Sequence, residues 1–285
     1  MASGLNRLAM SSALLQTAAR TLARWIEHNR RFTPRTQQHY KSVIWRFADY
    51  MPTNPADLTM EHIEVYLSSI LKHRKARTAN SHLTVIKSYC RWLSEVYGIP
   101  NPAAKIKMLK EDPPKQRVLS QAEYEDILKA CTPIEADIIR FLANTGLRAS
   151  EFQSLTWDNI SDDCQWLRIV GKGRKLRCVP LNLVCRSIIA KSERKPNTPI
   201  HLLKSYTYRR KNGLYALCKS LSKRANVERF GPHSLRHFFA TELMKKNVSI
   251  YKISKLLGHS SVRTTQQIYV HFEFQDLAGV TEALI

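Results

Sequence analysis

The chain has 285 residues, 44% of them hydrophobic, and no uninterrupted apolar run of the roughly eighteen residues that would suggest a membrane span. Its 45 Lys and Arg outnumber 23 Asp and Glu, a formal charge of +22 that favours a polyanionic partner, because each cation placed on a phosphate releases a condensed counterion. Six cysteines, Cys90, Cys131, Cys164, Cys178, Cys185 and Cys218, lie far apart without a C-x-x-C pair, so neither a disulfide framework nor a zinc knuckle is indicated.

The charge is spread through folded-looking sequence. Residues 1–110 hold 17 Lys and Arg against 6 acids, and residues 111–285 hold 28 against 17, so each part carries +11. A tail or a single basic helix, the usual form of a membrane-adhesive charge run, is not what this pattern describes. The opening Ala/Ser/Arg/Leu stretch has its first acid at Glu27 and somewhat resembles an organellar transit peptide, but a first amphipathic helix over about Ser12 to His28 is the preferred reading.

In chain order, Thr33-Pro34 sets a capping hydroxyl before a proline suited to the first helical position, and Tyr40, Val43, Ile44 and Phe47 follow at helical spacing. Pro52 and Pro55 end that helix, and Thr59 opens another with Ile63, Tyr66, Leu67 and Ile70 on one face. After a basic loop, His73 to Arg77, Thr78 caps a helix that carries Leu83, Ile86, Cys90, Leu93 and Tyr97 and stops at Gly98. The first part thus reads as four helices and no strands. Residues 99–119 contain four prolines and a lysine-rich middle and read as an interdomain linker, with the boundary near residue 112.

Ser120 and Glu123 form a capping-box pattern ahead of the next helix. A helix from Pro133 to Asn144 ends at Gly146, and a short one runs from Ala149 to Leu155. Trp166, Leu167, Ile169 and Val170, then Gly171-Lys172-Gly173, then Leu176, Cys178, Val179 and Leu181 read as two strands about a glycine turn. Helices resume at about 182–191, 213–225, 232–246, 249–257 and 261–270.

The strongest local constellation is His233-Ser234-Leu235-Arg236, set at a helix start by Gly231-Pro232, where positions three apart share a face. Alone, a His-x-x-Arg spacing is more often a solvated polar helix. His237 makes an i, i+4 histidine pair with His233, a possible metal spacing, but Arg236 on the same turn would repel a cation and no acidic ligand stands nearby. Arg148 follows Gly146, and Glu151 three residues later can hold its guanidinium; in isolation this is an ordinary surface ion pair. Lys172 in the turn reads first as a solvated lysine, and Tyr269 in Thr264 to His271 as a half-buried tyrosine.

The ordered set is far more specific than its members. Thr145-Gly146-Leu147-Arg148-Ala149-Ser150-Glu151, Gly171-Lys172-Gly173, His233-Ser234-Leu235-Arg236-His237, Leu257-Gly258-His259 and then Tyr269 resemble the phage integrase, or tyrosine recombinase, family in content and in order, over nearly the whole chain. The resemblance implies a mainly α fold with a small β-sheet in the catalytic part, a C-shaped clamp on duplex DNA, a helical core-binding domain over 1–112 and a catalytic domain over 113–285. It implies Arg148, Lys172, His233, Arg236, His259 and Tyr269 as catalytic residues with Glu151 in support, no cofactor and no metal. Chemically, two guanidinium groups can neutralise the non-bridging oxygens of a phosphodiester, and the tyrosine can attack it.

One departure from the family pattern stands out. The resemblance implies nine residues from the Gly-His histidine to the tyrosine, whereas Tyr269 is ten after His259, and one extra residue turns a helix by about 100°. The added glutamine of Thr264-Thr265-Gln266-Gln267 therefore has to be absorbed in a loop or a local distortion. The reading is a compact, Xer-like site-specific recombinase working through a 3′-phosphotyrosyl link and a Holliday junction. It would assemble as a homotetramer on two DNA sites, with the C-terminal tail packing on a neighbouring protomer, and act in the cytoplasm at the nucleoid, organellar targeting staying open. The alternatives are type IB topoisomerase-like relaxation and an inactive architectural or regulatory DNA-binding protein.

Overall fold

A computed structural model describes residues 21, 24–27, 32–52, 54–111, 117–171, 176–191, 193–200, 202 and 212–259. The chain divides into two compact units, Met1–Pro114 and Lys115–Ile285. Among the described residues no helix is long and apolar enough to cross a membrane. The expected helix over 261–270 and most of the one over Ser12 to His28 lie outside the described residues.

Every secondary-structure element among the first unit's described residues is a helix. Helix α1 spans Pro34–Phe47, with the Thr33 hydroxyl accepting from the Thr36 backbone N–H and a proline in its first turn. Helix α2 spans Met60–Leu71 and α3 spans Ala76–Tyr97. Thr78 is not the cap of α3: the helix starts at Ala76, Lys75 is its cap, and the Thr78 N–H already donates to the Lys75 carbonyl at 2.8 Å. The helices close over Trp25, Ile44, Phe47, Ile63, Tyr66, Leu83, Ile86 and Tyr89, and the buried Tyr66 hydroxyl meets His82 Nδ1 at 2.7 Å. Burying a polar pair stabilises only because each satisfies the other. Asn80 receives the Leu109 N–H on its oxygen and donates to the Leu109 carbonyl and to Glu111, fixing the segment after α3 against that helix.

In the second unit, α4 (Gln121–Lys129) starts at the expected Ser120 and Glu123 capping box. Helix α5 (Pro133–Thr145) is the central strut, with Ile138, Ile139, Phe141 and Leu142 buried against α6 (Ala149–Gln153) and the rest of the unit. Each such side chain contributes about 1.5–3 kcal/mol of burial. Strands β1 (Trp166–Val170) and β2 (Leu176–Pro180) pair antiparallel, Leu167 with Val179 and Ile169 with Arg177 on the inner face. Leu176 and Cys178, which the strand pattern counts among its apolar positions, face outward, and Arg177 takes the inner register. Helices α7 (Leu183–Ile189), α8 (Gly213–Arg224), α9 (Pro232–Lys245) and α10 (Ile250–Leu257) complete the described unit.

Candidate active site

The candidate site is built on the ends of two helices. Helix α5 stops at Gly146 (φ +61°) and α10 at Gly258 (φ +64°), both left-handed, the conformation in which glycine carries no Cβ penalty. The carbonyls around such C-termini carry the negative end of the helix dipole and attract cations. Both arginines singled out in the sequence use them. Arg236, 5% exposed, donates to the Gly146 carbonyl and to the Leu257 carbonyl, each at 2.6 Å. Arg148 donates to the Gly258 carbonyl at 3.2 Å and to Glu151 Oε1 at 2.8 Å, while its backbone N–H donates to Glu151 Oε2 at 2.8 Å.

Glu151 is buried and accepts from a second arginine that the sequence reading passed over. Arg177 donates to Glu151 Oε1 at 2.9 Å and Oε2 at 2.7 Å, and its Nε donates to the Leu256 carbonyl at 2.9 Å. Burial opposes ionisation of Glu151, but hydrogen bonds and charge from Arg177 and Arg148 outweigh it and hold the carboxyl at about 2. It is a fixed anion at any physiological pH.

The histidines gather at the same place. His233, at the solvent rim of the first turn of α9, titrates lower than usual through partial desolvation and then the Arg236 and Arg148 charges. His259, directly after the α10 cap, is lowered to about 4 by burial, then by Arg236 and Arg148, with smaller effects from His237 and Arg177. His237, one turn along α9, is also lowered to about 4, by burial and then by His233 and Arg236. Without a bound anion all three are therefore neutral imidazoles at pH 7. That state suits His233 to accept a proton and His259 to donate a hydrogen bond. The described structure thus brings Arg148, Glu151, His233, Arg236 and His259 into one electrostatic neighbourhood. Lys172 and Tyr269 lie outside the described residues, as does the extra glutamine before Tyr269. Strands β1 and β2 pair as the arms expected on either side of Lys172.

Comparison with known proteins decides the family. A profile of the phage integrase family matches residues 117–276, and one of the phage integrase N-terminal SAM-like domain matches residues 21–96. The chain belongs to the phage integrase family. Integrase-family relatives extend over nearly the whole length: a tyrosine recombinase XerA of Saccharolobus solfataricus is 27% identical over 84% of this chain and 82% of the relative. A tyrosine recombinase XerC of Oceanobacillus iheyensis is 25% identical over 88% of this chain and 90% of its own. The fold is shared with a Tn1549 transposon integrase in complex with transposon right end DNA, at a TM-score of 0.74 and 17% identity, covering 94% of this chain and 99% of that one. It is shared too with a lambda integrase in a dimer bound to a core site, at a TM-score of 0.72 and 19% identity, covering 90% and 78%. The mainly α fold with a small sheet and the Xer-like family assignment both hold.

Proposed function

We propose that this tyrosine recombinase breaks and rejoins duplex DNA with Tyr269 as nucleophile, in a site made by Arg148, Lys172, His233, Arg236 and His259. The observation that carries the reading is the convergence of two anchored arginines and two neutral histidines at the Gly146 and Gly258 helix ends. Phosphoryl transfer asks a protein chiefly for positioning and for neutralising charge on the non-bridging oxygens, which the two guanidinium groups supply. The Tyr269 oxygen attacks phosphorus and loses its proton to His233. The bond to the 5′ oxygen breaks, Lys172 protonates that leaving oxygen, and His259 hydrogen-bonds the phosphate. The 3′-phosphotyrosyl ester keeps the energy of the broken bond, so the reverse attack by a 5′ hydroxyl reseals the strand.

The division into a core-binding part over 1–112 and a catalytic part over 113–285, closing as a clamp on DNA, belongs to this reading, as does action on nucleoid DNA in the cytoplasm. It is supported by the strong positive charge of both parts, +11 over residues 1–110 and +11 over residues 111–285, and by the two separate family matches. Recombinases among the relatives favour strand exchange over topoisomerase-like relaxation, and the retained candidate residues argue against an inactive DNA-binding protein. A nicked suicide duplex carrying candidate sites tests the assignment: a covalent peptide mapping to residue 269 is expected, and a link at any other residue, or none on any functional site, refutes it.

Lys172→Ala should slow cleavage by about 10²–10⁴-fold, the usual worth of a positioned general acid. A substrate with a 5′-bridging sulfur, whose thiolate leaves without protonation, should recover most of that loss. Failure of the sulfur substrate to recover it removes Lys172 from the acid role.

Assembly rests on the tail. Phe272, Phe274, Leu277, Val280, Leu284 and Ile285 put six large apolar side chains within fourteen residues, all outside the described residues. A tail donated to a neighbouring protomer makes a heterologous contact that can close into a ring of four on two duplexes. Deleting residues 275–285 should leave binding to one site largely intact and weaken synapsis and recombination, read by gel mobility of paired duplexes. Normal synapsis by the truncated chain would exclude the trans contact.

A further inference from the structure

Arg148 faces a conflict of charge. On the reading above it must hold a phosphate, yet it lies in contact with the buried, permanently ionised Glu151. A guanidinium paired one-to-one with a carboxylate presents little net charge to a second anion, and in a site sheltered from water that loss is large. Glu151 is not paired one-to-one. Its side chain is 7% exposed, and each of its oxygens accepts twice, once from Arg148 and once from Arg177. The cluster Arg148, Glu151, Arg177 therefore carries one net positive charge.

Arg177 is placed for this task and for nothing on the surface. Its side chain is 9% exposed, it sits on the inner register of β2 opposite Ile169, and its Nε is spent on the Leu256 carbonyl. The same α10 terminus presents the Leu257 carbonyl to Arg236 and the Gly258 carbonyl to Arg148. The packing leaves no slack, since a Cβ on Gly258 would stand 2.8 Å from Arg177 Cδ. Arg177 thus reaches Glu151 and the α10 terminus at once.

The geometry points to Arg177 as a positioning residue that takes up the charge of Glu151, leaving Arg148 its full positive charge for the scissile phosphate, and ties the α10 terminus that anchors both phosphate-binding arginines. It touches no substrate and acts through Glu151 and Arg148. The inference rests on the assignment of Arg148 as a phosphate ligand.

Charge compensation separates this role from mere packing. The full chain and variants are compared for the rate of covalent adduct formation on the nicked suicide duplex and for affinity to the intact duplex. Arg177→Gln should form adduct at least about tenfold more slowly, the worth of one charge-assisted pair, with duplex affinity little changed. Arg177→Lys, which keeps the charge and loses the fork, should fall between. The deciding variant is Glu151→Gln with Arg177→Gln: deleting both charges restores a net positive charge at Arg148, so the double variant should be faster than Arg177→Gln alone. It also removes the buried acid that has lost one of its two arginines, so it folds more readily, and if the single variant is unfolded then the double and the lysine variants are compared with wild type. A double variant no faster than the single, or an Arg177→Gln enzyme at the wild-type rate, overturns the inference; where the single is unfolded, a double variant slower than Arg177→Lys does so. Arg148→Ala serves as the control: should that variant cleave normally, it is the site assignment that fails.

Discussion

Tyr269→Phe will bind its duplex with near-normal affinity and form no covalent protein–DNA link on any substrate. Only one oxygen is removed, so the charge, the arginine clamp and the groove contacts that supply affinity persist, while the atom that bonds to phosphorus is gone. A phenol has an ordinary pKa near 10 and is protonated at neutral pH. The site described here supplies what such a nucleophile lacks: a positive field from Arg148 and Arg236, and in His233 an imidazole kept neutral by desolvation and by those same charges. An adduct that persists in the phenylalanine variant, detected by mobility shift after denaturation, sinks the assignment. Tyr251 is then the tyrosine to map, since it stands exposed on α10 with the Lys255 ammonium 5.3 Å from its ring centre. Tyr206 would follow.

Much of the helical framework of both units is legible because its punctuation is chemical. Ser120 with Glu123, Pro133 and Pro232 in first turns, and glycines at 98, 146 and 258 mark helix ends by what the backbone requires, and each lies at such an end in the structure. Thr78, a residue that can cap, points to a start of α3 three residues too late, because Lys75 caps with backbone alone. Spacing also put His233 beside Arg236 and Glu151 beside Arg148, since helical neighbours are a matter of counting.

Arg177 escaped because its partners, Glu151 and the Leu256 carbonyl, are remote in sequence. A signal was nonetheless present. Val179 must face the core if β2 pairs with β1, alternation then turns residue 177 inward, and an inward charge on a strand demands a buried counter-charge. Reading Leu176 and Cys178 as part of an apolar run hid that alternation. The second role of the glycine ends was equally out of reach: the sequence says that Gly146 and Gly258 stop helices, but only the fold shows arginines hydrogen-bonded to their carbonyls.

That double duty makes Gly146→Ala a damaging single-methyl change. At φ +61° an alanine bears the left-handed penalty, about 1–2 kcal/mol. Its Cβ would also lie 2.4 Å and 2.9 Å from two ring atoms of Phe239 and 3.1 Å from Leu257 Cδ2, in a closely packed cluster, and such overpacking adds about 1–3 kcal/mol. Gly98 is the internal control: its φ is +66°, yet nothing lies within 4 Å of an added Cβ, so Gly98→Ala should lose the conformational part alone. Urea unfolding should therefore show Gly146→Ala destabilised by about 2–5 kcal/mol against about 1–2 for Gly98→Ala. The catalytic consequences should diverge further. Phe239 and Leu257 must shift to make room, and they sit on α9 and at the end of α10, the two elements that carry Arg236 and the Leu257 carbonyl it holds. Adduct formation should thus collapse in the folded fraction of Gly146→Ala and stay near normal in Gly98→Ala. Equal losses of stability in the two variants, or full cleavage by folded Gly146→Ala, would show that the helix end is not what sets the arginine.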